Sequence, residues 1–359
     1  MNLNYWERRQ AQKMFEAMEK AEMTADEIAK LYYKASRWLD YEMQDVFERY
    51  QSKHKLTEKE AYKLLNQLKN KASIKEVKQA LDRSDISNSK QVLAQLESPA
   101  YAYRIERLQQ IQQELDLFMK NVYEQEKDYN TEHYINLASD TYYKTIFDIQ
   151  RQTGLVFSFT TLDTKAVERV IHSKWSGENY SKRIWRNTKA LAQDVKEEII
   201  INMLTGRTNQ EAADIIANKF AQSASNARRL IRTESCYISN QMEMESYKEC
   251  GIETYIFLAT LDLKTSVVCQ ELDGKRFPVK EQMPGVNCPP MHPWCRSTTI
   301  CNISNKELEE MKRRAYDPKI GRTRLVSASM NYKEWYKNML IIMNPNKALK
   351  DTSYFYAPR

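Results

Sequence analysis

Glycine is scarce in this chain: seven residues in 359, the first at Gly154. Pro99 is the only proline before it. Tight turns lean on one residue or the other, so residues 1–153 exclude a turn-rich β architecture and predict long helices. No run approaches 18 apolar residues, which excludes a transmembrane helix by hydropathy. The opening stretch MNLNYWERRQAQK lacks the apolar centre of a signal peptide, an expectation against export by that route. No internal repeat or low-complexity tract is visible. Nor is there a strong excess of one charge: the net is +7, made of −2 over residues 1–150, +3 over 151–250 and +6 over 251–359. The C-terminal third can approach a polyanion, but such an excess also suits a mixed, solvated surface. With 42% hydrophobic and 29% charged residues, the composition is that of a soluble, core-forming chain.

The fold class read from these patterns is α+β: a mainly helical N-terminal region over 1–153, a connecting segment over 154–188, a mixed domain of long helices and a small sheet over 189–303, and a helix and tail over 304–359. Capping boxes at Thr24/Glu27, Thr57/Glu60, Ser73/Glu76 and Thr208/Glu211 predict helix starts. Ile28, Leu31, Tyr32, Ala35, Leu39, Met43, Val46 and Phe47 recur at three- and four-residue spacing, the mark of one apolar helix face. Tyr101–Glu126 and Tyr134–Ile149 read as two further helices. Residues 152–162 (QTGLVFSFTTL) read as an extended break. Ser223 or Ser225 is expected to open a helix that ends at Gly251, a C-cap. Strands are expected over Thr254–Ala259, Lys275–Val279 and Arg296–Ile303, and a charged helix over Asn305–Tyr316.

Thr254–Cys301 is the chemically dense stretch. It holds four of the six cysteines, five of the nine prolines and one of the four histidines. Cys269, Cys288, His292 and Cys295 stand in the pattern C-x18-C-x3-H-x2-C. Three thiolates and an imidazole make a closed tetrahedral set, the usual arrangement for structural Zn2+. Two other readings remain: reduced cysteines packed as small hydrophobes, or a disulfide. The pattern has no HExxH motif and lacks the glutamate beside histidine of the zinc deaminases, so a catalytic metal is harder to derive. Cys236 and Cys250, on the preceding helical stretch, read as packing residues, and free thiols suit a reducing cytoplasm. On that same helix Arg228 and Arg232 share a face, next to Thr233 and Glu234. An arginine there either pairs with Glu234 or another nearby acid, or binds an anion.

Taken in order, ARRLIRTE at 227–234, D-x-x-T-x-x-x-C at 262–269, L-D-G-K-x-F at 272–277 and P-P-x-H-P-x-C-R at 289–296 resemble the Mu F-like head morphogenesis domain of phage minor capsid proteins. The resemblance covers about a third of the chain. It maps a structural motif onto Arg228, Arg232, Thr233, Glu234, Asp262, Thr265, Asp273 and Gly274, beside the Cys/His set. CRC often stands in the family where this chain has Cys295-Arg296-Ser297. The resemblance implies a virion protein without catalytic activity. Such a protein is made in the bacterial host cytoplasm and associates with portal and with capsid or scaffold proteins, with DNA as a further partner of some relatives and no membrane. The competing classes are a metal-dependent hydrolase or nuclease built on the Cys/His cluster, and a general DNA-binding protein using the basic C-terminal third.

Overall fold

A computed structural model describes residues 4–47, 53–153, 161–302, 312–317, 321–327 and 332–343. Helix dominates, and a small antiparallel sheet lies in the C-terminal part, which makes the fold α+β. Helices α1 (Asn4–Phe47), α2 (Glu58–Asn66), α3 (Ile74–Arg83), α4 (Ser89–Glu97) and α5 (Pro99–Thr153) come first. They are followed by α6 (Thr164–Ile171), α7 (Tyr180–Thr205) and α8 (Asn209–Glu249).

Local capping signals mark real starts where the preceding residues cannot be helical. Thr57 Oγ1 accepts from the Glu60 amide while Glu60 accepts from the Thr57 amide, and Thr208 and Glu211 make the same reciprocal pair before α8. Ser73 caps α3 in one direction only, because the Glu76 carboxylate accepts from the Asn70 amide instead. Three expected boundaries are absent. Thr24 lies inside α1, Ser223 and Ser225 lie inside α8, and the two helices expected over 101–149 are one helix, α5. Neither glycine nor proline interrupts these stretches, and their apolar positions continue on both sides: Ala17, Met18 and Ala21 are buried before Thr24, as Ala25 and Ile28 are after it. A capping residue ends a helix only where the chain upstream has reason to leave it. The extended run expected at 152–162 falls largely outside the described residues.

Helix α8 closes with a Schellman turn. Ile252 N–H donates to the Tyr247 carbonyl at 2.8 Å, Gly251 N–H donates to Lys248 at 3.1 Å, and Gly251 holds φ +68°. The chain turns there directly into β1 (Thr254–Leu258), the centre of a sheet in the order β2–β1–β3 with β2 at Arg276–Pro278 and β3 at Thr298–Cys301. Ile256 sits opposite Ile300 and Tyr255 opposite Phe277. Ile256 and Ile300 pack with Trp6 of α1, so one sheet face is sealed by the first turns of the chain. On the other side the Tyr247 hydroxyl donates to the Thr299 carbonyl at 3.3 Å. Between β1 and β2 lies the short helix α9 (Val267–Leu272).

Beyond the sheet, Lys312–Asp317 is β4 and Arg322–Ser327 is β5, a hairpin with Gly321 at φ +65°. The helix expected over Asn305–Tyr316 is therefore a strand over its last five residues, and 305–311 lie outside the described residues. The deciding factor is a partner from the tail: Lys312–Asp317 pairs residue for residue with Arg322–Ser327, which local charge patterning does not anticipate. Helix α10 (Tyr332–Met343) follows, and its Tyr332 and Trp335 pack on Leu261.

By contacts the chain divides into two compact units. One gathers 1–23, 131–179 and 229–359, with the sheet and the Cys/His stretch; the other gathers 24–130 and 180–228. Each unit is assembled from separated segments, so neither coincides with a linear stretch such as 1–153 or 189–303. Among its described residues the second unit holds helices and loops; the half-buried rings of Trp38 and Phe118 stack in it, and the buried Tyr32 hydroxyl donates to Glu126 at 2.7 Å.

Candidate metal centre

Three elements of the first unit converge on one point. Helix α9 brings Cys269; its N-cap Ser266 accepts from the Cys269 amide at 3.4 Å. The loop before β3 brings His292 and Cys295, with Cys295 N–H donating to the His292 carbonyl at 3.2 Å. Helix α8 braces that loop. The Trp294 amide donates to Thr233 Oγ1 at 3.1 Å, Trp294 takes φ 66°, and the Arg232 guanidinium lies 5.4 Å from the Trp294 ring centroid. A non-glycine residue in the left-handed region costs of order 1–2 kcal/mol, and here the bond to Thr233 and the Arg232 cation–π contact hold it.

Cys269 Sγ lies 3.5 Å from His292 Nε2 and 3.8 Å from Cys295 Sγ, and the three ligand atoms all lie within 4.8 Å of one another. A tetrahedral zinc with bond lengths near 2.3 Å to sulfur and 2.0–2.1 Å to nitrogen puts its ligand atoms about 3.8 Å (S to S) and about 3.6 Å (N to S) apart. The observed separations have that size. His292 Nδ1 lies 2.7 Å from the Pro293 carbonyl and donates to it, which leaves the Nε2 lone pair facing the sulfurs, the tautomer a metal ligand requires. The Cys295 thiol is lowered well below the ordinary thiol range, chiefly by the neighbouring Cys236 and Cys269 thiols. The His292 ring is shifted up, chiefly by its bond to Cys295. Among the described residues, Cys269, His292 and Cys295 form a Cys2His group able to hold a metal ion.

Cys288, expected to complete the set, does not join it. The Met283–Cys288 turn closes on itself: the Cys288 amide donates to Met283 O at 3.2 Å, and Asn287 Oδ1 accepts from the Met283 amide at 2.7 Å. Fixed in that frame, the Cys288 thiol is fully buried and faces Gln241 Nε2 at 3.9 Å, and burial pushes it up as an acid. Cys236, read from sequence as packing, is a buried thiol that donates to the Ser297 carbonyl at 3.5 Å. No local signal pairs it with a loop 61 residues later.

The other motif residues lock the elements that carry the ligands. Asp262 takes both Arg296 guanidinium nitrogens, at 2.5 and 3.0 Å, and accepts from the Lys264 amide at 2.9 Å and the Thr265 hydroxyl at 3.1 Å. This ties the residue after Cys295 to the loop before α9. Asp273 accepts from the Ala259 amide at 2.9 Å, and Gly274, at φ +75°, donates to the Phe257 carbonyl at 2.9 Å, so the Asp-Gly pair fastens the end of α9 to β1. Arg232 pairs with Glu22 of α1, and Arg228 with Asp26. Glu234 accepts from the Trp175 indole at 3.1 Å, and Trp175 stacks on Tyr237. The arginines therefore find acids on α1, while Glu234 is held by an indole. Sequence reading missed Glu243, a buried carboxylate of α8 that takes bonds from Gln10, Thr298 and, at 3.1 Å, Thr299. Burial raises its pKa.

A groove of about 680 Å3 runs beside these residues, between α1 and the loop after β1, with Met14, Phe15 and Met18 on one wall and Leu258 and Leu261 on the other. Its charged lining includes two mutually neutralised pairs, Arg232–Glu22 and Arg296–Asp262. No helix among the described residues is long and apolar enough to cross a membrane.

Comparison with known proteins bears on this region. Residues 193–300 match the family described as Phage Mu protein F like protein. The chain is also similar to an NAD(+)–arginine ADP-ribosyltransferase, EFV, of Enterococcus faecalis (strain ATCC 700802 / V583): 26% identical over 219 residues, 56% of this chain and 43% of that protein. The chain spans less than half the length of that relative. No solved structure matches at a significant level. The matched segment begins within α7 and carries α8, β1, α9, β2 and the residues Cys269, His292 and Cys295, so the candidate metal centre lies in the part of the chain that is similar to that family.

Proposed function

We propose that this is a minor structural protein of a phage head, assembled in the host cytoplasm with portal and with capsid or scaffold proteins, and that its Cys/His cluster holds a structural zinc. The observation that supports this reading best is where the motif residues of the Mu F-like segment spend their polar groups. Asp262, Arg296, Asp273 and Thr233 bind one another or the backbone of elements that carry the cysteines and histidine. A catalytic constellation instead directs reactive groups at a substrate position. Cys269, His292 and Cys295 would hold the zinc, and the ion would cross-link α9 to the loop before β3. Binding and folding are then coupled, because the unfolded chain has no preformed site.

Two experiments test this. Particles assembled from phage portal, capsid and scaffold proteins co-expressed with the chain should retain it at low copy after purification. Complete exclusion from such particles contradicts the virion role. Elemental analysis of protein purified under reducing conditions should return about one zinc per chain, lost on acidification as the ligands protonate. A catalytic reading draws support from the similarity to the enterococcal ADP-ribosyltransferase. Transfer of ADP-ribose from NAD+ to an arginine acceptor by the purified chain would establish it and displace the structural one.

A further inference from the structure

We infer that the groove beside α1 is a docking site for one amphipathic helix of a protein partner, a helix with acidic residues in its first turn and basic residues in its last. The inference stands apart from the zinc reading and gives the assembly reading a contact surface. Arg8, Phe15 and Glu19 all line the groove. At 3.6 residues per turn they fall within about 40° of one another, on a single stripe of α1, with Ala11 and Met18 beside them. Phe15 is 56% exposed, although Met14 and Met18 next to it are buried. Facing it across the groove are Leu258 and Leu261. Uncovered apolar surface that runs into a concave apolar wall marks an interaction site, and flexible methionine side chains adapt to what enters.

The charges set the polarity of the occupant. Inside the groove Arg232 and Arg296 are committed to Glu22 and Asp262. Toward its two ends Arg8 and Glu19 are exposed, and neither is in an ion pair among the described residues. They are 11 residues apart on α1, which is about 17 Å of helix, or three turns. A docked helix matches them with an acid opposite Arg8 and a base opposite Glu19. Run parallel to α1, it carries the acid at its N-terminus and the base at its C-terminus, the order its own dipole favours. Its apolar residues at i, i+4 and i+7 then face Phe15 and the two leucines. An extended strand suits the groove less well. The strand that brings Leu258 into it is β1, which is already paired on both edges by β2 and β3, so no free strand edge is offered there.

The test is fluorescence anisotropy of the full chain with a stapled synthetic helix of about 14 residues, carrying leucines at i, i+4, i+7 and i+11, glutamates in its first turn and lysines in its last. A twin with glutamates and lysines exchanged is the comparison. The first peptide should bind with a micromolar dissociation constant, and the twin about tenfold more weakly or worse, because like charges then meet at both ends. The double variant Arg8→Glu, Glu19→Lys should reverse that order, and Phe15→Asp should lose both peptides. Equal affinity for the two peptides, no reversal in the double variant, or no binding of either at millimolar concentration overturns the inference. So does a wild-type chain that sediments as a dimer and becomes a monomer in Phe15→Asp, since the occupant is then a second copy. Should Phe15→Asp fail to fold, the charge reversal still decides. A chain that shows the peptide preference yet is excluded from assembled particles removes the assembly reading alone, and a chain retained in particles without that preference removes this inference alone.

Discussion

The Asp262–Arg296 pair joins the residue after Cys295 to the loop before α9, and its removal tests whether the motif residues are structural. Both side chains are mostly covered, at 23% and 29% exposure, and the contact is bidentate with two further donors on the same carboxylate. An exposed ion pair contributes roughly 0–1 kcal/mol, whereas hydrogen bonds to a charged group contribute about 1.5–3 kcal/mol each on a net basis. Asp262→Ala strands the Arg296 guanidinium and removes the acceptor for Lys264 and Thr265. A loss of about 3 kcal/mol is therefore expected, of which roughly 1.5–2 kcal/mol should appear as coupling in a double-mutant cycle with Arg296→Ala. The pH dependence follows in sign. Burial pushes the Asp262 carboxyl up, but the bonds from Arg296 outweigh it and the folded-state value lies below the ordinary one of 3.8. The pair's contribution is thus complete above about pH 4 and lost as pH falls through the lower, folded-state value. Urea unfolding of the wild type, both single variants and the double variant, with chelator present so that metal binding does not contribute, measures the coupling directly. A coupling below about 0.5 kcal/mol, with the singles unchanged in stability, would refute the structural assignment and reopen Asp262 and Arg296 as groups kept for a ligand in the adjoining groove.

Other outcomes are expected elsewhere. Glu126, fully buried against Tyr32, has its pKa raised to about 7 by burial, so the folded chain binds its proton more tightly than the unfolded chain, and stability should decline between about pH 4.5 and 7. Glu126→Gln should flatten that decline, worth on the order of 3 kcal/mol, in thermal melts across the range; an unchanged pH profile contradicts it. Gly274→Ala should cost about 1–2 kcal/mol in chemical denaturation, because φ is +75° although nothing lies within 4 Å of the added methyl; no loss would mean the turn relaxes freely. Trp6→Ala uncovers Ile256 and Ile300 and should cost about 3 kcal/mol, with faster amide exchange in β1 and β3. Normal protection in both strands would show that α1 does not seal the sheet.

Much of the centre was legible because its determinants are local. Cys269, His292 and Cys295 announce themselves by residue type and spacing among prolines, and the Asp-Gly turn at 273–274 by its need for positive φ. The reciprocal caps at Thr57 and Thr208 are equally self-contained, since both partners sit within three residues. The positions of the first three strands were readable as well: Gly251 ends α8 and β1 follows at once. The same locality misled at Thr24 and Ser223, where a capping residue sits in a helix that has no cause to stop.

What no local pattern carries is which helix face meets which loop. Cys236 looks like one more apolar position on α8, and only packing turns it onto the Ser297 carbonyl. Cys288 has suitable chemistry and spacing, but a turn closed by Asn287 faces it toward Gln241. Trp6, Gln10 and Glu22 read as the start of an ordinary amphipathic helix, yet they reach Ile256, Glu243 and Arg232, over two hundred residues away. By itself, then, the sequence determined most element types, the reciprocal caps at Thr57 and Thr208 and the turns at Gly251 and Gly274, because these depend on backbone dihedrals and on neighbours a few residues apart. The tertiary structure alone decided the membership of the metal centre and the partners of the buried charges. Those depend on burying apolar faces together, and burial brings side chains into register without regard to their separation along the chain.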